Sequence, residues 1–274
     1  MTFDLNCDLG ELDDAALEAR LMEHVTSANI ACGGHAGDEG TMERTIRLAL
    51  ERGVNIGAHP GYPDRANFGR VEIAMSEDEI EDTVAWQIGR LEAVAAGLGA
   101  TIVHVKPHGA LYNVAVRNHA VARAIGAAVR QWNPHASDGL AGGSACPTLF
   151  GLAGSPMLEV WRGMGLRVAA EGFADRRYEA DGTLRLRQLP DALITDPAEA
   201  AAQAVRLVSE GGVETICVPN VAVTLATPPM APEGVITPEE GSMPATWPRS
   251  IENEAATFCP PTCAVYVTVG ACVP

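Results

Sequence analysis

Carboxylates, imidazoles and a single lysine recur in this sequence at the ends of short apolar runs. Asn6, Asp8 and Glu11 sit in DLNCDLGE, and Asn29, Gly33, Gly34, His35 and Asp38 in SANIACGGHAGD. His59, Asp64, Arg65 and Arg70 fall in GAHPGYPDRANFGR, Lys106 and His108 in VKPHGALYN, Glu171 and Arg176 in EGFADRRY. Carboxylate and imidazole groups move protons at a reacting centre, and fixed cations stabilise negative charge as it develops there. Of 19 Lys plus Arg, 18 are Arg, so Lys106 is the only lysine. Arginine is the default cation of this chain. Lys106 is therefore singled out for what a guanidinium cannot do: act as a compact charge that can lose its proton when buried. Asp8, His35 and His59 also make a carboxylate plus two histidines, a donor set suited to Zn²⁺ or another divalent metal.

Each cluster has a plainer reading. Asp8 and Glu11 could cap and charge a first helix. Gly33-Gly34 could be only a tight turn, and Asp175-Arg176-Arg177 a surface ion-pair network. Asp64, Arg65 and Arg70 could simply fix their loop. Cys7 and Cys32 read as small buried hydrophobes, and the seven cysteines show no metal-type CxxC pair.

The elements that must position these residues alternate. Strands are predicted at 3–8, 25–31, 54–59, 101–106, 148–152, 166–170 and 215–218, with amphipathic helices at 38–52, 76–98, 114–132 and 197–210. Ser76 and Glu79 form a capping box, and Gly97 and Gly99 end that helix. Residues 171–187 read as a hairpin excursion around Asp181-Gly182. Strand–helix repetition implies parallel strands. No GxGxxG or GxxxxGK[ST] supports a Rossmann or P-loop fold. Polar clusters after several different strands instead match a (β/α) barrel, whose pocket is built from its strand-to-helix loops. Alternation puts Asp4, Asn6 and Asp8 on one face, and His104, Lys106 and His108 likewise, so these should point inward. The formal net charge of −16 disfavours nucleic acid and anionic membranes. No apolar run approaches a membrane span, and the acidic N-terminus reads straight into a strand. A cytoplasmic protein without a signal peptide is expected.

Taken in order and spacing, the five motifs resemble the LamB/YcsF family, as do the joining segments GLAGSPMLEVWRGMGLRVAAE and DALITDPAEAAAQAVRLV. The resemblance covers roughly residues 3–218. It implies an α/β fold, a (β/α) TIM-like barrel expected to have seven strands and related to the glycoside hydrolase and deacetylase barrels. It also implies cleavage of 5-oxo-L-proline to L-glutamate coupled to hydrolysis of ATP, expected with Mg²⁺, by a complex with two partner subunits, B and C. For that reaction Asp8 or Glu11 is the expected general base and His59 or His108 the proton carrier. Lys106 and Arg176 are expected to hold phosphoryl or carboxylate oxygens. Gly33-Gly34 could offer N–H groups to an anion. Asn6, Asn29, His35, Asp38 and Glu171 are expected to line the substrate. A metal-dependent, deacetylase-like hydrolase is the enzymatic alternative.

Two regions depart from the family pattern. Residues 133–147 are longer and richer in Gly and Ala. From 219 to 274 the chain replaces the family's His-Gly-Asp turn and final helix with a segment holding 10 of the 18 prolines and three of the seven cysteines. Proline at that density blocks a long helix. The expected division is a catalytic barrel over 1–218 and an atypical Pro-rich, disordered tail over 219–274. A chain impaired in catalysis, able only to bind ligand or partners, is the third reading.

Overall fold

The protein is described by a computed structural model covering residues 3–132, 147–209, 212–214, 222–224 and 265–268. Six parallel strands follow one another in space as in sequence: β1 (Phe3–Leu9), β2 (Ser27–Ala31), β3 (Asn55–His59), β4 (Ile102–Val105), β5 (Thr148–Leu152) and β6 (Val168–Phe173). Helices α1 (Ala15–Leu21), α2 (Glu39–Arg52), α3 (Glu77–Gly97), α4 (Gly109–Arg117), α5 (His119–Trp132), α6 (Pro156–Gly163) and α7 (Pro197–Ser209) intervene, giving a curled α/β sheet of the TIM-like kind. A short antiparallel pair, β7 (Gly212–Glu214) and β8 (Ala222–Thr224), follows. The strand β9 (Val265–Thr268) pairs in parallel with both β1 and β6. The strand expected at 215–218 and the rest of the segment 219–274 lie outside the described residues, as do 133–146.

The two faces of each strand have separate jobs. Outward side chains such as Ile30, Ile56 and Leu149 are buried against the helices with Met42, Ile46, Ile88, Leu91, Ile125 and Trp161. This apolar layer supplies the bulk of the folding energy. Many inward side chains are polar and hydrogen-bonded to one another, as buried polar groups must be. His104 Nε2 lies 2.8 Å from Asn29 Oδ1, whose amide donates to Asn6 Oδ1 at 2.8 Å and Asp8 Oδ1 at 2.9 Å. The His104 ring stacks on Phe150, with centroids 4.5 Å apart. Below them Asp4 accepts from Ser27 Oγ at 2.5 Å and Thr26 Oγ1 at 2.8 Å.

Local chemistry sets the helix limits. Ser76 and Glu79 complete the capping box of α3, and Gly99 takes φ +71° just beyond its end. The single helix expected at 114–132 is instead two, α4 starting at Gly109 and α5 at His119. Asn118 divides them. It leaves the helical region, and its Oδ1 accepts from Ala120 N at 2.9 Å, so it caps α5. Helices α1 and α6, absent from the sequence-based expectation, begin at the capping residue Asp14 and at Ser155-Pro156. In the excursion after β6, Tyr178 bridges Leu184 around a turn in which Gly182 has φ +83°.

Close packing inside the sheet yields a stability test. A Cβ on Gly57 would lie 2.0 Å from His104 Nε2, whereas one on Gly89 of α3 meets nothing within 4 Å. Gly57→Ala is expected to destabilise by about 1–3 kcal/mol through overpacking. Gly89→Ala is expected to stabilise by roughly 0.5–1 kcal/mol through helix propensity. Urea unfolding of the two variants checks both signs.

Candidate active site

At the C-terminal ends of the strands a cleft of about 950 Å³ opens, with Asp8, Glu11, His59, Lys106 and His108 on its floor and Arg70, Arg176 and Arg187 on its rim. Strand alternation delivers the floor residues: Asn6 and Asp8 from β1, His59 from the end of β3, Lys106 and His108 from the turn after β4. Lys106 is 2% exposed. Its Nζ lies 3.4 Å from Asp8 Oδ1, 3.3 Å from Glu171 Oε2 and 3.2 Å from Asn6 Oδ1, and 5.1 Å from the centre of the Phe173 ring. Burial works against its charge, but the Asp8 and Glu171 carboxylates raise its pKa above the ordinary lysine value. The lone lysine is thus a protonated centre shared between two strand-end carboxylates.

A second, histidine-rich group adjoins it. Glu11 Oε1 lies 3.0 Å from His35 Nε2, 3.1 Å from His108 Nδ1 and 3.7 Å from His59 Nε2. His59 Nε2 is 3.3 Å from Asp8 Oδ2 and 2.9 Å from His108 Nδ1. The His35 and His108 rings stack at 3.6 Å, 4° from parallel. Each imidazole at the centre is held from behind by a carbonyl: His59 Nδ1 is 2.7 Å from Lys106 O, and His108 Nε2 is 2.9 Å from Phe68 O. The second carbonyl is aimed by an unusual turn, in which Phe68 takes φ +56° and Asp64 accepts from Asn67 N and Gly69 N.

Ionisation follows from this packing. Burial opposes charge on Asp8, but His59 and Lys106 outweigh it and hold the carboxyl well below the usual range. Burial likewise opposes charge on Glu11, yet hydrogen bonds from His108 and His35 bring it down to about 2. His59 is raised, because Asp8 overrides its burial. His35 falls to about 3 through burial and the neighbouring His108. On the rim, burial and the adjacent Arg187 lower Arg176 to about 10. Tyr112, buried and next to Glu171, is held protonated. Two ionised carboxylates, an ammonium and imidazoles therefore face arginines across one cleft, an arrangement fit for acid–base work on an anionic substrate.

Most of the expected residues meet here. Asn6 and Asn29 lie beneath the cleft and brace Asp8, Glu171 packs on Lys106, and His35 backs Glu11 and His108. Three expected residues are placed elsewhere. Asp38 caps α2, accepting from Thr41 N at 2.8 Å, on the exterior. Gly33 N donates to Ala36 O at 2.8 Å, so it offers no free N–H to an anion. Gly34 packs against Gln87 beside a separate recess lined by Arg65 and Trp86. The capping reading of Asp8 and Glu11 also fails, since Asp14 caps α1. Arg177 does make a surface ion pair, 2.6 Å from Glu199, unlike its buried neighbour Arg176. Sequence reasoning missed Tyr112, Phe173 and Arg187, and took Arg70 for a loop brace. Their cue was cationic and aromatic residues close after strand ends in an acidic chain. Cys7 and Cys32 are free, buried thiols, as expected, and burial pushes Cys32 up to about 12.

The compensated lysine provides a double-variant test. Lys106→Met leaves Asp8 and Glu171 buried beside an apolar group and is expected to cost about 3–5 kcal/mol. Adding Glu171→Gln to Lys106→Met is expected to restore part of that loss, measured by chemical denaturation of all three variants. If the second change deepens the loss, the carboxylates do not depend on the ammonium.

Comparison with known proteins identifies the family. The LamB/YcsF family matches residues 3–227. The A subunit of 5-oxoprolinase from Bacillus licheniformis is 48% identical over 216 residues, which are 78% of this chain and 81% of that protein. Its counterpart from Methylococcus capsulatus, also named as the A subunit of 5-oxoprolinase, is 50% identical over 215 residues, 77% of this chain and 78% of that one. Among solved structures, the lactam utilization protein of Thermus thermophilus superimposes with a TM-score of 0.70 at 42% identity, covering 79% of this chain and 84% of the other. The chain therefore belongs to the LamB/YcsF family.

Proposed function

We propose that this chain is the A subunit of an ATP-dependent hydrolase that opens 5-oxo-L-proline to L-glutamate, working in the cytoplasm with partner subunits B and C. The observation that carries the proposal is the cleft itself, in which ionised Asp8 and Glu11 and the Lys106 ammonium face Arg70, Arg176 and Arg187. The names of the relatives, 5-oxoprolinase and lactam utilization protein, supply the substrate class. We read the ring of strands, with β9 between β1 and β6, as a seven-stranded barrel akin to those of glycoside hydrolases and deacetylases.

A five-membered lactam is a stable amide, so opening it at neutral pH needs activation. Phosphorylation of the carbonyl oxygen by ATP, with Mg²⁺, makes that oxygen a leaving group. Water then adds to the carbonyl carbon, and the C–N bond breaks to free the amine and leave an acyl phosphate on the side chain. A second water hydrolyses that acyl phosphate to the carboxylate and free phosphate. In this scheme Asp8 takes the proton from the attacking water and returns it to the departing nitrogen. It is the better placed carboxylate for this, with its side chain 22% exposed towards the cleft against 9% for Glu11. Lys106 stabilises the ionised Asp8 and the charge developing on the carbonyl oxygen. The arginines hold the substrate carboxylate and the phosphoryl oxygens.

Reconstitution tests the proposal. The chain combined with subunits B and C is expected to release glutamate and ADP from 5-oxoproline and ATP in a one-to-one ratio. No turnover with partners that are active alongside another family member would refute it in favour of the impaired-chain reading. Arg187→Ala is expected to lower kcat/KM by about 10–100-fold, the value of one hydrogen bond to a charged group.

A further inference from the structure

The tautomers of His59 and His108 are fixed by what lies behind each ring. A carbonyl oxygen can only accept, so His59 carries its hydrogen on Nδ1, facing Lys106 O, and His108 carries its hydrogen on Nε2, facing Phe68 O. The two remaining nitrogens, His59 Nε2 and His108 Nδ1, are then both lone-pair donors, and they point at each other across 2.9 Å. Glu11 Oε1 faces the same point, 3.7 Å from the first and 3.1 Å from the second, and His35 Nε2 lies 3.0 Å from that oxygen. Four candidate donor atoms thus converge on one small volume.

Their spacing suits a larger cation. The candidate ligand atoms of Glu11, His35, His59 and His108 all lie within 4.8 Å of one another. Bonds of about 2.1 Å in a tetrahedron put neighbouring ligand atoms roughly 3.4 Å apart, in the middle of the distances above. Histidines that bind metals ordinarily donate their other N–H to a carbonyl or carboxylate, which is the arrangement of His59 and His108 here. The sequence suggested Asp8, His35 and His59 as ligands. In the folded chain Asp8 is shared, its Oδ1 3.4 Å from Lys106 Nζ and its Oδ2 3.3 Å from His59 Nε2, while Glu11 and His108 join His35 and His59 in the tighter cluster.

We infer that Glu11, His35, His59 and His108 form a binding site for one divalent transition-metal ion of the Zn²⁺ class. A donor set of three imidazoles and one carboxylate favours such ions over Mg²⁺, which prefers oxygen ligands. The site shares the cleft with the proposed lactam chemistry but does not depend on it. Any substrate carbonyl placed beside Asp8 would lie next to the ion.

Binding is tested without substrate or partners. The full chain, stripped with chelator, is titrated with Co²⁺ and Zn²⁺ at neutral pH and followed by calorimetry and visible absorption. About one tight equivalent with the intense d–d bands of four-coordinate cobalt, and no thiolate-to-cobalt charge-transfer band, is the expected result. Absence of a tight equivalent overturns the inference, as does a thiolate band, which would place the ion on cysteines. His108→Gln and Glu11→Gln are each expected to weaken binding by at least about 10–100-fold, while the exposed His24→Ala leaves it unchanged. Unaltered Co²⁺ spectra in folded His108→Gln and Glu11→Gln chains would also overturn it. Because no step involves 5-oxoproline, this outcome stands apart from success or failure of the reconstitution.

Discussion

The Lys106 ammonium, buried at the mouth of a parallel sheet, has to be compensated on the spot. Desolvating one charge costs several kcal/mol unless partners of opposite sign are held against it. Asp8 from β1 and Glu171 from β6 supply them, 3.4 and 3.3 Å away, with Asn6 completing the shell. This requirement ties three strands together at their C-terminal ends. It keeps Asp8 ionised, and through Asp8 it raises the pKa of His59 against its burial. The Asn29–His104 chain beneath fixes the angle at which Asp8 is presented. An apolar replacement for Lys106 would leave both carboxylates uncompensated and take away the electrostatic reason for the site.

Function follows from the opposition of two surfaces. The floor carries paired charges whose values are set by one another, and the rim carries arginines whose mutual proximity, with burial, lowers Arg176 and Arg70. Such a rim is relieved by an anion entering the cleft. In a chain of net charge −16 this is a local reversal of sign, and it selects for a ligand that can bring its own negative charge to that spot. A lactam carrying a carboxylate, activated by a phosphoryl group, meets the condition twice.

Much of this was legible in the sequence. The rarity of lysine pointed to Lys106, and alternation in DLNCDLG and VHVKPH put the right side chains inward. The Ser76–Glu79 box marked the start of α3, because capping is a local interaction that needs only four residues. What escaped depends on contacts between distant segments. Gly33 looked free to bind an anion until Ala36 O was found to occupy its N–H, and Asp38 until its role at α2 was visible. Arg187 reaches the cleft only because the excursion after β6 folds back over it. The division at Asn118 is a side-chain cap that apolar periodicity cannot register. VYVT at 265–268, a β-branched and aromatic run, was hidden by the prolines around it and becomes the neighbour of β1 and β6.

Everything in the proposed chemistry turns on Asp8 moving the proton in the ring-opening step. The decisive quantity is the kcat of a complex in which this chain alone carries Asp8→Asn, an isosteric change that retains hydrogen bonding to Asn29 and removes the base. A fall in kcat of about 10²–10⁴-fold, with little change in the KM for 5-oxoproline, is expected. An unchanged kcat would show that the proton travels by another group.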